Sequence, residues 1–480
     1  MAYALRGQDQ VGALAALESG EYEAIATSGQ SVVDELVHLC VELGVFEALK
    51  SIVVRREREG IPDELLLRTI AVLPFVEALG LSSAAGEIFK DAAILLQLGY
   101  EIRAVQEGFN GRHNNAQGEG KITKPCHVEV LREELGRIEP ASLERFGRVC
   151  VGELFRRKLI KGKVCAIDGT GLRKRHRVVG LLNVQDGQPL WLSWRLLGGS
   201  ESEKGEEAKV VRSLVEDVIA IGGSGAIEWL LMDALYADGP LLAWLEHSCG
   251  IHALVRLPED RLLHEDARGL AEHGLSHWQT HTDVRYVSGH KQVRQVAVSM
   301  VDGLDSWDSF VLAAKDYDQE QPTLSVVLIH SVDKADPSQI EDWALVSTKP
   351  FNSAWGAYSL WRRRWRIENS GFRELKEAWH LEKAPWSHNS DDIVAARLTF
   401  TLIAYNVAQI AKTTAGRKLT DRGIRRLRRD LTTTYGLAPV IVFTETAFGI
   451  FHIEQIMAIA GLAPKHSLRP KPHPSPPTLS

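Results

Sequence analysis

The stretch KVCAIDGTGLRKRHRVVGLLNVQDGQPLWLSWRLL, Lys163 to Leu197, decides the fold. It holds three short runs rich in β-branched and aromatic residues, KVCAIDGTGL, RVVGLLNVQ and PLWLSWRLL, the last two joined by the turn residues DGQ. Downstream, KGEEAKVVRSLVEDVIAIGG has helical spacing and stops at a glycine pair. A buried strand IEWLLMD, a helix DGPLLAWLEHSCG and a strand IHALVRL follow. Three antiparallel strands and then alternating helices and strands predict an α/β fold, a mixed sheet flanked by helices.

Outward from this core the texture changes on both sides. From Ser31 to about Arg157, segments such as VVDELVHLCVELGVFEALKSIVV carry apolar residues at i, i+3, i+4 and i+7, and Pro140 and Ser142 mark a helix start. An all-helical N-terminal domain is expected, broken by the polar loop FNGRHNNAQGEGKITKP. After Pro258 a strand-like period returns in THTDVRYVSGHKQVRQVAVSMV, SFVLAAKDY and TLSVVLIHSV, then the strand DWALVSTK, a long helical region and the apolar helix AARLTFTLIAYNVAQIAKTTAG. The expected division is a helical domain over 1–157, a first part of the core over 158–257, a β-rich insertion over 258–344, a second part of the core over 345–420, a helical C-terminal region over 421–463 and a disordered, proline-rich tail over 464–480.

Composition narrows the function classes. The hydrophobic fraction of 45% and charged fraction of 25% are those of a soluble globular chain. The N-terminus lacks the pattern of a secretory signal and no run reaches the ~18 apolar residues of a membrane span, which places the protein in the cytoplasm, with no membrane partner. The five cysteines lie far apart without a zinc-ligand pattern, PCH (Pro125–His127) and CGIH (Cys249–His252) being the nearest approaches, and read as reduced thiols. A net charge of −6 excludes coating of nucleic acid by charge alone, so any such binding is local. LRKRHR (Leu172–Arg177), WRRRWR (Trp361–Arg366) and RGIRRLRR (Arg422–Arg429) are the basic segments that offer it.

Two aspartates end apolar strands: Asp168 in CAIDGT and Asp233 in WLLMDALY. Each alone reads as a cap for the next turn or as a site residue, because an unpaired carboxylate is costly to bury. With both on core strands of one mixed sheet and their side chains at the strand ends, they would converge on one edge of the sheet. Carboxylates a few ångströms apart repel unless cations neutralise them, and a pair of magnesium ions with a third carboxylate is the usual remedy. Glu368 is the natural third, on a helix after the last core strand, among Arg362, Arg363, Arg364, Arg366 and Arg373. Its bland reading is an i, i+4 ion pair with Arg364, worth at most about 0.5 kcal/mol on an exposed helix.

AIDGT, LLMDALYADGPLL with GIHALVRLPEDR, and YSLWRRRWRIENSGFRELK together resemble, over roughly Lys163 to Leu381, the catalytic blocks of bacterial insertion-sequence transposases of the insertion-sequence-four type. The resemblance implies an RNase H-like core interrupted by a β insertion, and a DDE transposase in which Asp168, Asp233 and Glu368 hold two Mg2+ ions, with Mn2+ able to substitute. The family's signature, Y-x2-R-x3-E-x6-K, is matched at Arg364 and Glu368 and departs at two positions. Trp361 stands at the tyrosine position and Leu375 at the lysine position, with Lys376 one residue late. A residue eight past Glu368 lies about 80° off its face on an ideal helix. A π-bulge near Ser370 and Gly371 would realign Lys376. Trp361, or else Tyr358, is expected to stack on a displaced base, with Arg363 and Arg373 on phosphates.

The implied partners are double-stranded DNA, both terminal inverted repeats and target, and a second copy in a synaptic dimer; in a bacterium this places the protein at the nucleoid. End recognition is expected from the N-terminal helices with help from the C-terminal arginines, and dimerisation from the apolar C-terminal helices, whose alternative role is to complete a core. The alternatives are a nuclease on the same core that cuts without joining, and a catalytically silent, domesticated DNA-binding protein.

Overall fold

The apolar run Val164–Ile167 is buried and starts an interior strand, third from one edge, of a nine-stranded mixed sheet. The computed structural model describes residues 3–459 apart from 57–59, 77, 79, 110–124, 173–174, 186, 199–205, 288–289, 383–389, 415–422 and 436–438. The chain forms two compact units, Met1–Leu159 with Phe372–Ser480, and Ile160–Gly371. The boundary falls inside the segment 345–420, not at its ends.

In the second unit the strands are β1 (Val164–Leu172), β2 (His176–Asn183), β3 (Leu190–Gly198), β4 (Trp229–Met232), β5 (His252–Leu257), β6 (Gln279–Val287), β7 (His290–Leu304), β8 (Leu324–Asp333) and β9 (Ile340–Ser347). Their order across the sheet is β3-β2-β1-β4-β5-β9-β8-β7-β6. β1, β2 and β3 pair antiparallel, β4 and β5 join β1 in parallel through helical crossovers, and β9 returns antiparallel to β5. The segment 258–344 makes no separate layer, because β6, β7 and β8 extend the same sheet beyond β9. The helix Val211–Gly222 packs on β2 and β3, and Ala354–Trp361 on β5, β7 and β8. Apolar side chains on both faces of β4 and β5 follow from that cover.

The first unit is built around the helix Asp391–Ala411, whose N-cap Ser390 accepts a hydrogen bond from the Ile393 amide. It is long and apolar enough to cross a membrane, but it is buried among the helices Ser31–Glu42, Asp63–Val72, Val128–Arg137 and Pro140–Arg156. A helix apolar on nearly all sides is a core helix. It therefore completes the core of its own unit, the alternative to a dimerisation surface. The expectation of an all-helical N-terminal domain is corrected: Gly7–Gln8 and Ala24–Thr27 pair with Ala447–Phe451 and Val440–Phe443 in a four-stranded sheet. The same hairpin means that 421–463 is not purely helical. These strands run two to five residues, too short for a period to show, and their partners lie over 400 residues apart in sequence. Most of the expected polar loop, 110–124, and the tail, 464–480, lie outside the described residues.

Candidate active site

β1 and β4 run parallel with Ala166 opposite Leu231. Two residues further on come Asp168, inside β1, and Asp233, in extended backbone just past the end of β4, and the two-residue side-chain period carried on from that register turns them to the same face. The register alone thus brings these two carboxylates together. Asp168 Oδ1 accepts a hydrogen bond from the Gly169 amide at 2.8 Å, and Asp233 Oδ1 accepts one from the Ala234 amide at 2.8 Å. Asp233 thereby caps the 3-10 turn Ala234–Tyr236, so the cap and the site readings of this residue are not exclusive.

Glu368 arrives on a helix that changes pitch. After Ser353 caps Ala354–Trp361, the chain tightens to a 3-10 turn at Arg362–Arg364 and widens to a π-helix over Ile367–Arg373. The bulge expected near Ser370 and Gly371 is present. Gly371 is where this helix docks on the sheet: a Cβ there would stand 3.0 Å from Trp191 Cζ2 and 3.3 Å from Leu182 Cδ2. Trp191 cannot retreat, because its ring is fully buried and already presses on Gly180, the residue opposite Asp168. Arg366 adds hydrogen bonds to the carbonyls of Val184 at 3.2 Å and Gly187 at 2.6 Å, which fix the helix to the loop after β2.

Arg364 ties the third acid to the first. Its Nη1 lies 3.0 Å from Asp168 Oδ2 and its Nη2 lies 2.7 Å from Glu368 Oε1, with the arginine side chain only 5% exposed. The guanidinium lies over the Trp361 ring, 5.2 Å from its centroid, and the Trp361 indole donates to the Met232 carbonyl at 3.3 Å, one residue before Asp233. The i, i+4 pair of the bland reading is present, but it is half of a bridge to Asp168 rather than a solvated surface pair. Burial pushes the Asp168 carboxyl up to about 6; Arg364 and the Gly169 amide oppose that, while Glu368 and Asp233 add to it by repulsion.

Three further residues surround Asp168, of which sequence reasoning had named only Arg177, as part of a basic segment. Glu207 is buried and ion-paired with Arg177, and its Oε2 presses on Gly169 so closely that a Cβ there would meet it at 2.6 Å. Tyr236 is 1% exposed, and its hydroxyl has no hydrogen-bond partner among the described residues. Burial first, then Asp168 and Glu207, push that hydroxyl's pKa up. Of the two that it had not named, Tyr236 stood nearer to a readable signal, three residues past Asp233.

Other expected residues sit elsewhere. Trp361 and Tyr358 are buried: the Trp361 ring is covered by Arg364 and Trp343, and the Tyr358 hydroxyl donates to Asp283 at 2.8 Å. Neither ring is open to a base as it stands, whereas Trp365 is 44% exposed. Arg362 is ion-paired with Asp283, and Arg363 is partly buried. Lys376 and the exposed Arg373 belong to the first unit, where Lys376 lies 3.9 Å from Glu382.

All three acidic side chains offer hard carboxylate oxygens, the donors that Mg2+ and Mn2+ take, and the repulsion at Asp168 is of the kind a divalent cation relieves. In donor chemistry the residues fit such ions. As they stand, no three acidic, histidine or cysteine side chains among the described residues converge closely enough to hold one, and Arg364 bridges Asp168 and Glu368 instead. No match is found among curated proteins. The family model for the transposase DDE domain matches residues 161–407, just over half of the 480, and takes in Asp168, Asp233 and Glu368, and so the chain belongs to the DDE transposases.

Proposed function

We propose that this transposase is of the insertion-sequence-four type with an RNase H-like core, and that it binds insertion-sequence ends, cleaves the phosphodiester backbone and joins the ends to target DNA. The observation that carries this reading is the in-register pair Asp168 and Asp233, with Glu368 linked to Asp168 through Arg364. Asp168, Asp233 and Glu368 would hold two Mg2+ or Mn2+ ions between them. When bound, such ions lower the pKa of an attacking water or 3′-hydroxyl and stabilise the leaving oxygen. The chain's own residues do the rest. The three carboxylates orient the ions, the buried strand ends limit water to one side, and the arginine cluster holds the backbone next to the scissile bond.

Lys376 is the lysine of the signature in this reading, one residue late, and the π-helix at Ile367–Arg373 supports that assignment. Arg363, Arg364 and Arg373 contact phosphates, and Trp365 takes the base-stacking role in place of Trp361 and Tyr358, on the strength of its exposure. Terminal-repeat recognition belongs to the first unit, and synapsis of two ends makes a dimer on DNA. The test is magnesium-dependent cleavage and joining of DNA carrying the gene's own flanking ends, by wild type and by Glu368→Gln, which keeps shape and removes charge. Cleavage and joining by wild type alone are expected. Cleavage without joining would reduce the protein to a nuclease, and inactivity of both would leave a silent DNA-binding protein.

A further inference from the structure

We infer that Arg364 is the counter-ion that closes the metal-free catalytic carboxylates, and that a DNA phosphate, by drawing it away, opens them to divalent cations. The inference rests on the metal-site reading above. The guanidinium spans two of the three acids, with ion-pair contacts of 3.0 Å to Asp168 and 2.7 Å to Glu368. Its Nε is buried and has no hydrogen-bond partner among the described residues.

Charge makes the two occupants exclusive. Three carboxylates against one guanidinium leave an excess of negative charge that half-open surroundings tolerate. Two divalent cations would reverse that excess and set like charges side by side where the guanidinium now bridges Asp168 and Glu368, a repulsion that the closed arrangement does not have. A phosphodiester removes the conflict, because it is the guanidinium's preferred bidentate partner and arrives with the negative charge the loaded site lacks. An approach is available: the Glu368 side chain is 42% exposed while that of Asp168 is 19% exposed, so the bridge faces solvent at its Glu368 end. Trp361, fixed through Met232, stays behind as the platform to which the guanidinium returns. Metal loading is thereby made conditional on DNA, which keeps the free protein from cutting DNA it has not seated.

The experiment titrates the full chain with Mn2+ and reads the free ion by electron paramagnetic resonance, with and without a duplex carrying the gene's flanking ends. Without DNA, Arg364→Gln should bind Mn2+ at least tenfold more tightly than wild type, Arg364→Lys should stay near wild type because it keeps the charge, and Asp168→Asn in the Arg364→Gln background should cancel the gain. Adding duplex should tighten wild-type binding at least tenfold and the Arg364→Gln variant far less. Equal affinity of wild type and a folded Arg364→Gln variant, lost in both on Asp168→Asn, would overturn the counter-ion role and leave the metal reading intact. Should Arg364→Gln fail to fold, wild-type affinity unmoved by duplex overturns the proposal by itself. Absence of Asp168-dependent binding in every arm would bring down the metal reading as well.

Discussion

In the metal-free protein Asp168 should act against folding, and by an amount that depends on pH. Its carboxyl is held at about 6 in the folded chain, against about 3.9 in an unfolded one. Between those values the folded state binds more protons than the unfolded state, so stability falls as pH rises from about 4 to about 6. The full difference of about 2 pKa units corresponds to about 3 kcal/mol, nearly all of it present at pH 7 and little at pH 4. Asp168→Asn has no such proton to lose and keeps the Arg364 to Glu368 pair. The stability of Asp168→Asn relative to wild type should therefore increase by about 2 kcal/mol between pH 4 and pH 7. The assay is urea unfolding in chelator, followed by tryptophan fluorescence, which reports on the catalytic unit because every tryptophan except Trp379 and Trp386 lies between Ile160 and Gly371. A difference that stays flat, or shrinks as pH rises, would refute the claim that burial and two neighbouring acids dominate the arginine at this site.

Gly371→Ala should cost about 1–3 kcal/mol, since its methyl meets a Trp191 ring with no room to move. The same denaturation assay on the double variant with Trp191→Phe should show less than the sum of the two single losses. Asp283→Ala should cost about 3 kcal/mol by stripping Arg285, Arg362 and the Tyr358 hydroxyl of their common acceptor, measured as a lowered urea midpoint at unchanged slope. Trp365→Ala should leave that midpoint within about 0.5 kcal/mol of wild type while weakening binding of a distorted or single-stranded DNA end by about 1–3 kcal/mol, read by fluorescence anisotropy.

What the sequence made legible was whatever a local pattern carries. The four apolar residues before Asp168 and before Asp233 marked both strands, but only Asp233 sits at a strand end, since Asp168 is the fifth of the nine residues of β1; the extra residue before Lys376 pointed to the π-helix that Ile367–Arg373 forms. What stayed hidden depended on long-range contact. Arg362 and Arg366 read as free cations in a basic run, yet one neutralises Asp283 and the other binds the carbonyls of Val184 and Gly187. The four-stranded sheet joins residues near both ends of the chain through strands without a readable period. Glu207 reaches the site because Gly169 lacks a side chain, a relation that no spacing reveals.

The three acids are positioned by different kinds of interaction, and this decides how each responds to change. Asp168 and Asp233 are fixed by the backbone register of two buried parallel strands, which a slip of even one residue would destroy by turning one of them to the other face. Glu368 is held only by side-chain contacts: the fit of Gly371 against Trp191, the anchoring of Arg366 and the bridge through Arg364. Substitutions that loosen helix docking should therefore shift the third acid while the aspartate pair stays in place. Such variants would keep an Mn2+ site at Asp168 and Asp233 and lose affinity only where Glu368 contributes. A titration that lost both affinities together on Gly371→Ala would show instead that the helix and the strand ends move as one body.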